Sequence, residues 1–138
     1  MNQTNSSQIL VVDDDFAGMM IIRAVLKHDG FRVVSASSHD EVLAFMNAYP
    51  PDLILLNVQL ACEDGVALTR QLKGNPVTAA IPIVALAAHA LVGDRKRAIA
   101  AGCCGYILKP IDTRTLGEDV RKFLRARTDR VGAPSSDA

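Results

Sequence analysis

The run Leu53-Ile54-Leu55-Leu56, closed by Asn57, leaves this chain few ways to fold. Four consecutive apolar residues allow no alternation of faces, so as a strand they must be covered on both sides. Strands of that kind lie in the middle of parallel sheets. The residue at their carboxyl end stands at the edge where open α/β sheets place their chemistry. Asn57 is therefore where function is expected.

The rest of the chain repeats the pattern. Ile9-Leu10-Val11-Val12 runs into Asp13-Asp14-Asp15, residues 31–36 form a second strand, and residues 81–87 a fourth. Pro82 falls near the start of that fourth strand, where a missing donor is tolerated. A last strand over 105–108 ends on Lys109-Pro110. Helical spacing fills the gaps. Asp15 can cap a helix with Gly18, Ile22, Val25 and Leu26 on one face and Gly30 as its stop. Ser38 and Glu41 form a capping-box pattern ahead of Val42, Phe45 and Met46. Asp64-Gly65 opens a third helix with Leu68 and Leu72 on one face. An alanine-rich, basic fourth helix spans 91–101, and Asp112 or Thr113 can cap a fifth with Leu116, Val120, Phe123 and Leu124. Five strands alternating with five helices predict an α/β fold, a doubly wound five-stranded parallel sheet with right-handed crossovers.

At 138 residues the chain is expected to be one domain. Residues 1–7 read as a flexible leader, 8–126 as the domain and 127–138 as a disordered tail. Fifteen basic residues balance fifteen acidic ones, which argues against nucleic acid or a membrane surface as partner. Asp94-Arg95-Lys96-Arg97 then reads as a solvated helix face. No run is long enough to span a bilayer. Cys62, Cys103 and Cys104 are odd in number and lack CxxC spacing, which fits reduced thiols and neither a disulfide frame nor a zinc site. The polar start lacks the order of a signal peptide, and the cytoplasm is the expected compartment.

Strand carboxyl ends gather on one edge of such a sheet. They bring together Asp13 and Asp14, Asn57, Ala87 and Lys109. Two adjacent acids repel by roughly 4 kcal/mol at about 4 Å and an effective dielectric of 20, so a cation or a hydrogen-bond network must offset them. Magnesium suits that role, since it takes one or two carboxylates and keeps several waters. Acid pair, polar strand end and lysine outline a phosphoryl-transfer site. Taken singly, the acid run is a solvated turn with a helix cap, and Lys109-Pro110 is an ordinary strand end; the meaning lies in their joint placement.

On these residues the chain resembles a response-regulator receiver domain of two-component signalling, similar to chemotaxis receivers. The matching motifs are residues 9–15, Pro51-Asp52-Leu53-Ile54-Leu55-Leu56-Asn57, Glu63-Asp64-Gly65, residues 81–86, Ala101-Gly102 and Tyr106-Ile107-Leu108-Lys109-Pro110-Ile111. The resemblance implies the flavodoxin-like strand order 2-1-3-4-5. It implies magnesium held by Asp13, Asp14, the residue at 57 and the backbone carbonyl of Gln59. Lys109 would contact the phosphoryl group, before a cis bond to Pro110, and Tyr106 would be the aromatic residue that moves on activation.

Three positions depart from that family's pattern. Asn57 stands at the phosphoacceptor position, Ala87 where a hydroxyl senses the phosphate, and Ala61 where a proline is usual. An amide is uncharged and a poor nucleophile, so no aspartyl phosphate is expected at 57, and magnesium affinity should fall. Two origins fit Asn57: an engineered phospho-ablative substitution, or a natural degenerate receiver. The resemblance further implies a histidine kinase or histidine phosphotransfer protein as partner. It implies a downstream protein on the face of the fourth helix, fifth strand and fifth helix, including Leu91, Val92, Arg95, Tyr106 and Arg114, with the chain a monomer or weak homodimer. His89 reads as a loop residue. The expected chain is a stand-alone receiver or one cut from a larger protein, and not an enzyme. Two other classes compete on the same residues. A magnesium phosphatase using Asp13 and Asp15 would want a threonine where Ala17 stands. A flavin or nucleotide binder would want a phosphate-cradling loop where the acids are.

Overall fold

The computed structural model describes residues 7–57, 65–87, 92–109 and 111–132. The elements are β1 Gln8–Val12, α1 Phe16–His28, β2 Arg32–Ala36, α2 His39–Ala48, β3 Leu53–Asn57, α3 Gly65–Lys73, β4 Ile83–Ala87, α4 Val92–Ala101, β5 Gly105–Leu108 and α5 Leu116–Gly132. All sheet pairings are parallel, and the order is β2-β1-β3-β4-β5. That is the doubly wound arrangement the alternating pattern predicts, with β1, β3 and β4 inside. The five residues of β3 and of β4 are all buried, as unbroken apolar runs require.

Alternation along each strand divides the core in two. Ile9, Val11, Leu53, Leu55, Val84 and Leu86 join Ile22 and Leu26 of α1 and Leu116 and Val120 of α5 on one face. Leu10, Val12, Ile54, Leu56, Ala85 and Ala87 join Val42, Leu68 and Ala98 from α2, α3 and α4 on the other. Each fully buried Leu or Ile contributes roughly 1.5–3 kcal/mol relative to exposure, which makes this layered burial the main stabilising term.

Several local expectations are corrected. Asp15 occupies the N-cap position of α1, but its side chain makes no capping bond. Ser38 accepts from the Glu41 amide at 3.2 Å, while Glu41 reaches back one residue further than a capping box requires, to the Ser37 amide. Pro82 precedes β4, and its carbonyl accepts from the Ile54 amide. Asp112 caps a turn through the Arg114 amide at 2.9 Å, so α5 begins at Leu116. It then runs on past Arg127 through Gly132, the last described residue, because alanine and arginine favour helix.

Glycine matters most at Gly102 and Gly105. Gly102 has φ of 123° just past α4, a conformation that side chains resist. A Cβ on Gly105 would collide with the Phe123 ring, so the missing side chain lets α5 close onto β5.

Candidate functional site

The carboxyl ends of the strands converge on Asp13. Residue 13 continues the alternation of Ile9 and Val11, residue 57 that of Leu53 and Leu55, and residue 109 that of Ile107. All three therefore project toward the α1/α5 face. The register pairs Val12 with Leu56, which sets Asp13 and Asn57 side by side.

Asp13 is fully buried and Asn57 nearly so. The Asn57 side-chain amide donates to Asp13 Oδ1 at 2.9 Å, and the Asp15 backbone N–H donates to the same oxygen at 3.0 Å. Lys109 Nζ donates to Asp13 Oδ2 at 2.7 Å. Both oxygens of the buried carboxylate are thus engaged by three donors. Lys109 also lies 4.0 Å from the Asp15 carboxylate, which explains where the uncapped Asp15 side chain turns. The sequence pattern assigns Asp15 to the helix cap. Its place beside Lys109 depends on how β5 reaches across the sheet end, which no local pattern reveals.

The acid pair is split. Asp14 is exposed and lines a cavity of about 430 Å³ with Asp13, Phe16, Met19, Ser35, Ser37 and Glu41. Ala87 is fully buried on the opposite face, and half-buried Tyr106 packs against the same cluster. Ala87 still touches the site through its backbone, since its carbonyl accepts from the Lys109 amide at 2.8 Å. Gln59, Ala61, Cys62, Glu63, Asp64, Ala88, His89, Leu91 and Pro110, and the side chains of Val92 and Arg95, lie outside the described residues.

The donor set does not suit a tightly held divalent cation. Both oxygens of Asp13, the buried acid, are already engaged by an ammonium and two N–H groups, and position 57 turns its amide nitrogen toward that acid. Among the described residues, no three His, Cys, Asp or Glu side chains are placed to hold a metal ion. Nor is any helix among them long and apolar enough to cross a membrane.

Cys103 is buried, and its burial pushes the thiol above its ordinary range despite a contact with Thr69. Cys104 is exposed. Thiolate is the reactive form. Limited alkylation of the folded protein at neutral pH, read by peptide mass mapping, should therefore label Cys104 well before Cys103. Equal labelling of the two would contradict the burial.

A family model described as the response regulator receiver domain matches residues 9–121. The polar-differentiation response regulator DivK of Brucella ovis is 30% identical over 119 residues, covering 86% of this chain and 97% of that protein. A CheY-like response regulator receiver domain protein from Methanospirillum hungatei shares the fold at a TM-score of 0.82 and 24% identity, over 91% of this chain and 98% of that one. The receiver domain of the sensor histidine kinase PA1611 from Pseudomonas aeruginosa, solved with a magnesium ion coordinated in its active-site cleft, is 28% identical. Its TM-score is 0.78, over 86% of this chain and 98% of that one.

Proposed function

The chain belongs to the response-regulator receiver family, and from that premise we propose that it is a signalling switch working by protein–protein contact without a phosphoryl group at position 57. The observation that carries this reading is the contact between the Asn57 amide and Asp13 at 2.9 Å. The group that would attack phosphorus is uncharged, poorly nucleophilic and turned toward a buried acid. Lys109, which would otherwise meet a phosphoryl oxygen, is held by Asp13.

In this reading the partners are a histidine kinase or a histidine phosphotransfer protein, and a downstream protein on the α4–β5–α5 face. Tyr106 and Arg114 belong to that face, and the compartment is the cytoplasm. The protein works by being bound and turns over no substrate. Magnesium is held weakly. Asp14, the Asn57 side-chain oxygen and the Gln59 carbonyl are the donors the family pattern would offer it, and the cation would screen the acids.

The test is incubation of the chain with magnesium and acetyl phosphate, followed by intact mass measurement, with beryllofluoride-induced chemical-shift changes as a parallel readout. No mass gain and no shift change at the strand ends are expected. An acid-labile adduct mapped to residue 57 would overturn the reading.

A further inference from the structure

We propose that the Asn57 amide and the Lys109 ammonium together take the place of a divalent cation, so that the carboxyl edge of the sheet is held in one arrangement without metal. This rests on the receiver reading above and names how that same site is held together.

Asp13 is the link between strands. Its backbone N–H donates to the Ala36 carbonyl at the end of β2, at 3.1 Å. Its side chain, at the end of β1, accepts from Asn57 at the end of β3 and from Lys109 just past β5. Lys109 in turn donates its backbone N–H to Ala87 at the end of β4. All five strand ends are therefore joined through two residues. A buried carboxylate can hold that position only if its charge is met by donors or a cation.

Asn57 decides which of the two is used. Its amide nitrogen donates an N–H to Asp13 where a carboxylate would have none to give. An aspartate there would place a second acceptor oxygen at nearly the same distance, and two like charges would face each other in a buried site. Lys109 alone cannot balance both charges, so the edge would then call for a further cation or a proton shared between the acids. One –NH2 in place of one oxygen converts a repulsive contact into a hydrogen bond, and Lys109 meets the remaining charge. The edge is thereby set at folding and does not wait on magnesium or a phosphoryl donor.

The experiment compares thermal unfolding of the full chain, Asn57→Asp and Asn57→Ala, each in EDTA and in millimolar magnesium chloride. The unsubstituted chain should unfold at the same temperature in both. In EDTA, Asn57→Asp should unfold about 5–10 °C lower, the loss of a buried charge-assisted hydrogen bond in a domain of this size. Magnesium should return most of that loss, because a ligand that binds only the folded state stabilises it. Asn57→Ala should also fall in EDTA, with no recovery in magnesium. Equal magnesium stabilisation of the unsubstituted chain and Asn57→Asp would overturn the proposal. So would an Asn57→Asp protein as stable in EDTA as its parent.

Should Asn57→Asp fail to fold in both buffers, the other two proteins decide. A magnesium-dependent rise in the unsubstituted chain, or an Asn57→Ala protein as stable as its parent, would refute the proposal; a flat response with a destabilised Asn57→Ala would support it. A phosphoryl adduct on the unsubstituted chain would instead refute the functional reading and leave these temperatures unchanged.

Discussion

Lys109→Met is expected to destabilise the fold by about 2–3 kcal/mol, because it leaves the fully buried Asp13 carboxylate without its cation. Methionine keeps most of the apolar stem, so lost packing contributes little. The effect falls at or below the low end of the range for broken buried pairs for two reasons. The lysine side chain is 18% exposed, which lets some water reach the acid, and the Asn57 and Asp15 donors remain. Urea unfolding should show a midpoint lower by roughly 1–2 M, with the slope unchanged. The double variant Asp13→Asn/Lys109→Met separates charge from shape. With both charges removed, no ion is stranded, and the double variant should be more stable than Lys109→Met alone. If the two losses simply add, the ion pair is not what holds the edge.

That pair could not be read from the sequence, although its members could. Asp13, Asn57 and Lys109 each follow an apolar strand, and strand count alone brings them to one edge. What the sequence does not contain is register. Asp13 and Asn57 become neighbours because Val12 pairs with Leu56, and nothing local to either segment sets that pairing. The division of labour within the acid run was hidden for the same reason. Asp13 continues the row of Ile9 and Val11 and is buried, Asp14 follows the row of Leu10 and Val12 but lies past the strand end and is exposed, and Asp15 leaves its capping role for Lys109. The start of α5 and its run past Arg127 depart from the sequence pattern for local reasons. Asp112 is a good cap, but the turn through Arg114 uses it first, and the stretch from Arg127 on is both polar enough for a tail and favourable enough for a helix.

Asn57→Asp is expected to bring back phosphorylation while leaving the far side of the sheet almost unmoved. Restoring an ionised carboxylate returns the nucleophile, a change on the order of 10⁴-fold or more where such a group is the attacking atom. With magnesium and acetyl phosphate the variant should gain the mass of one phosphoryl group. Transmitting that event is a separate problem. The hub projects to the α1/α5 face, whereas Ala87 and Tyr106 belong to the opposite core cluster. Ala87 is fully buried and offers no hydroxyl that could follow a phosphoryl oxygen and draw the end of β4 with it. Its backbone is held to Lys109, so the strand end has one anchor and no lever. The ring resonances of Tyr106, distinguishable from those of exposed Tyr49, should therefore shift little when Asn57→Asp is phosphorylated. They should shift clearly in Asn57→Asp/Ala87→Thr. A large Tyr106 response in the single variant would mean that coupling across the sheet runs through the Lys109–Ala87 backbone bond, with no need for a side chain at position 87.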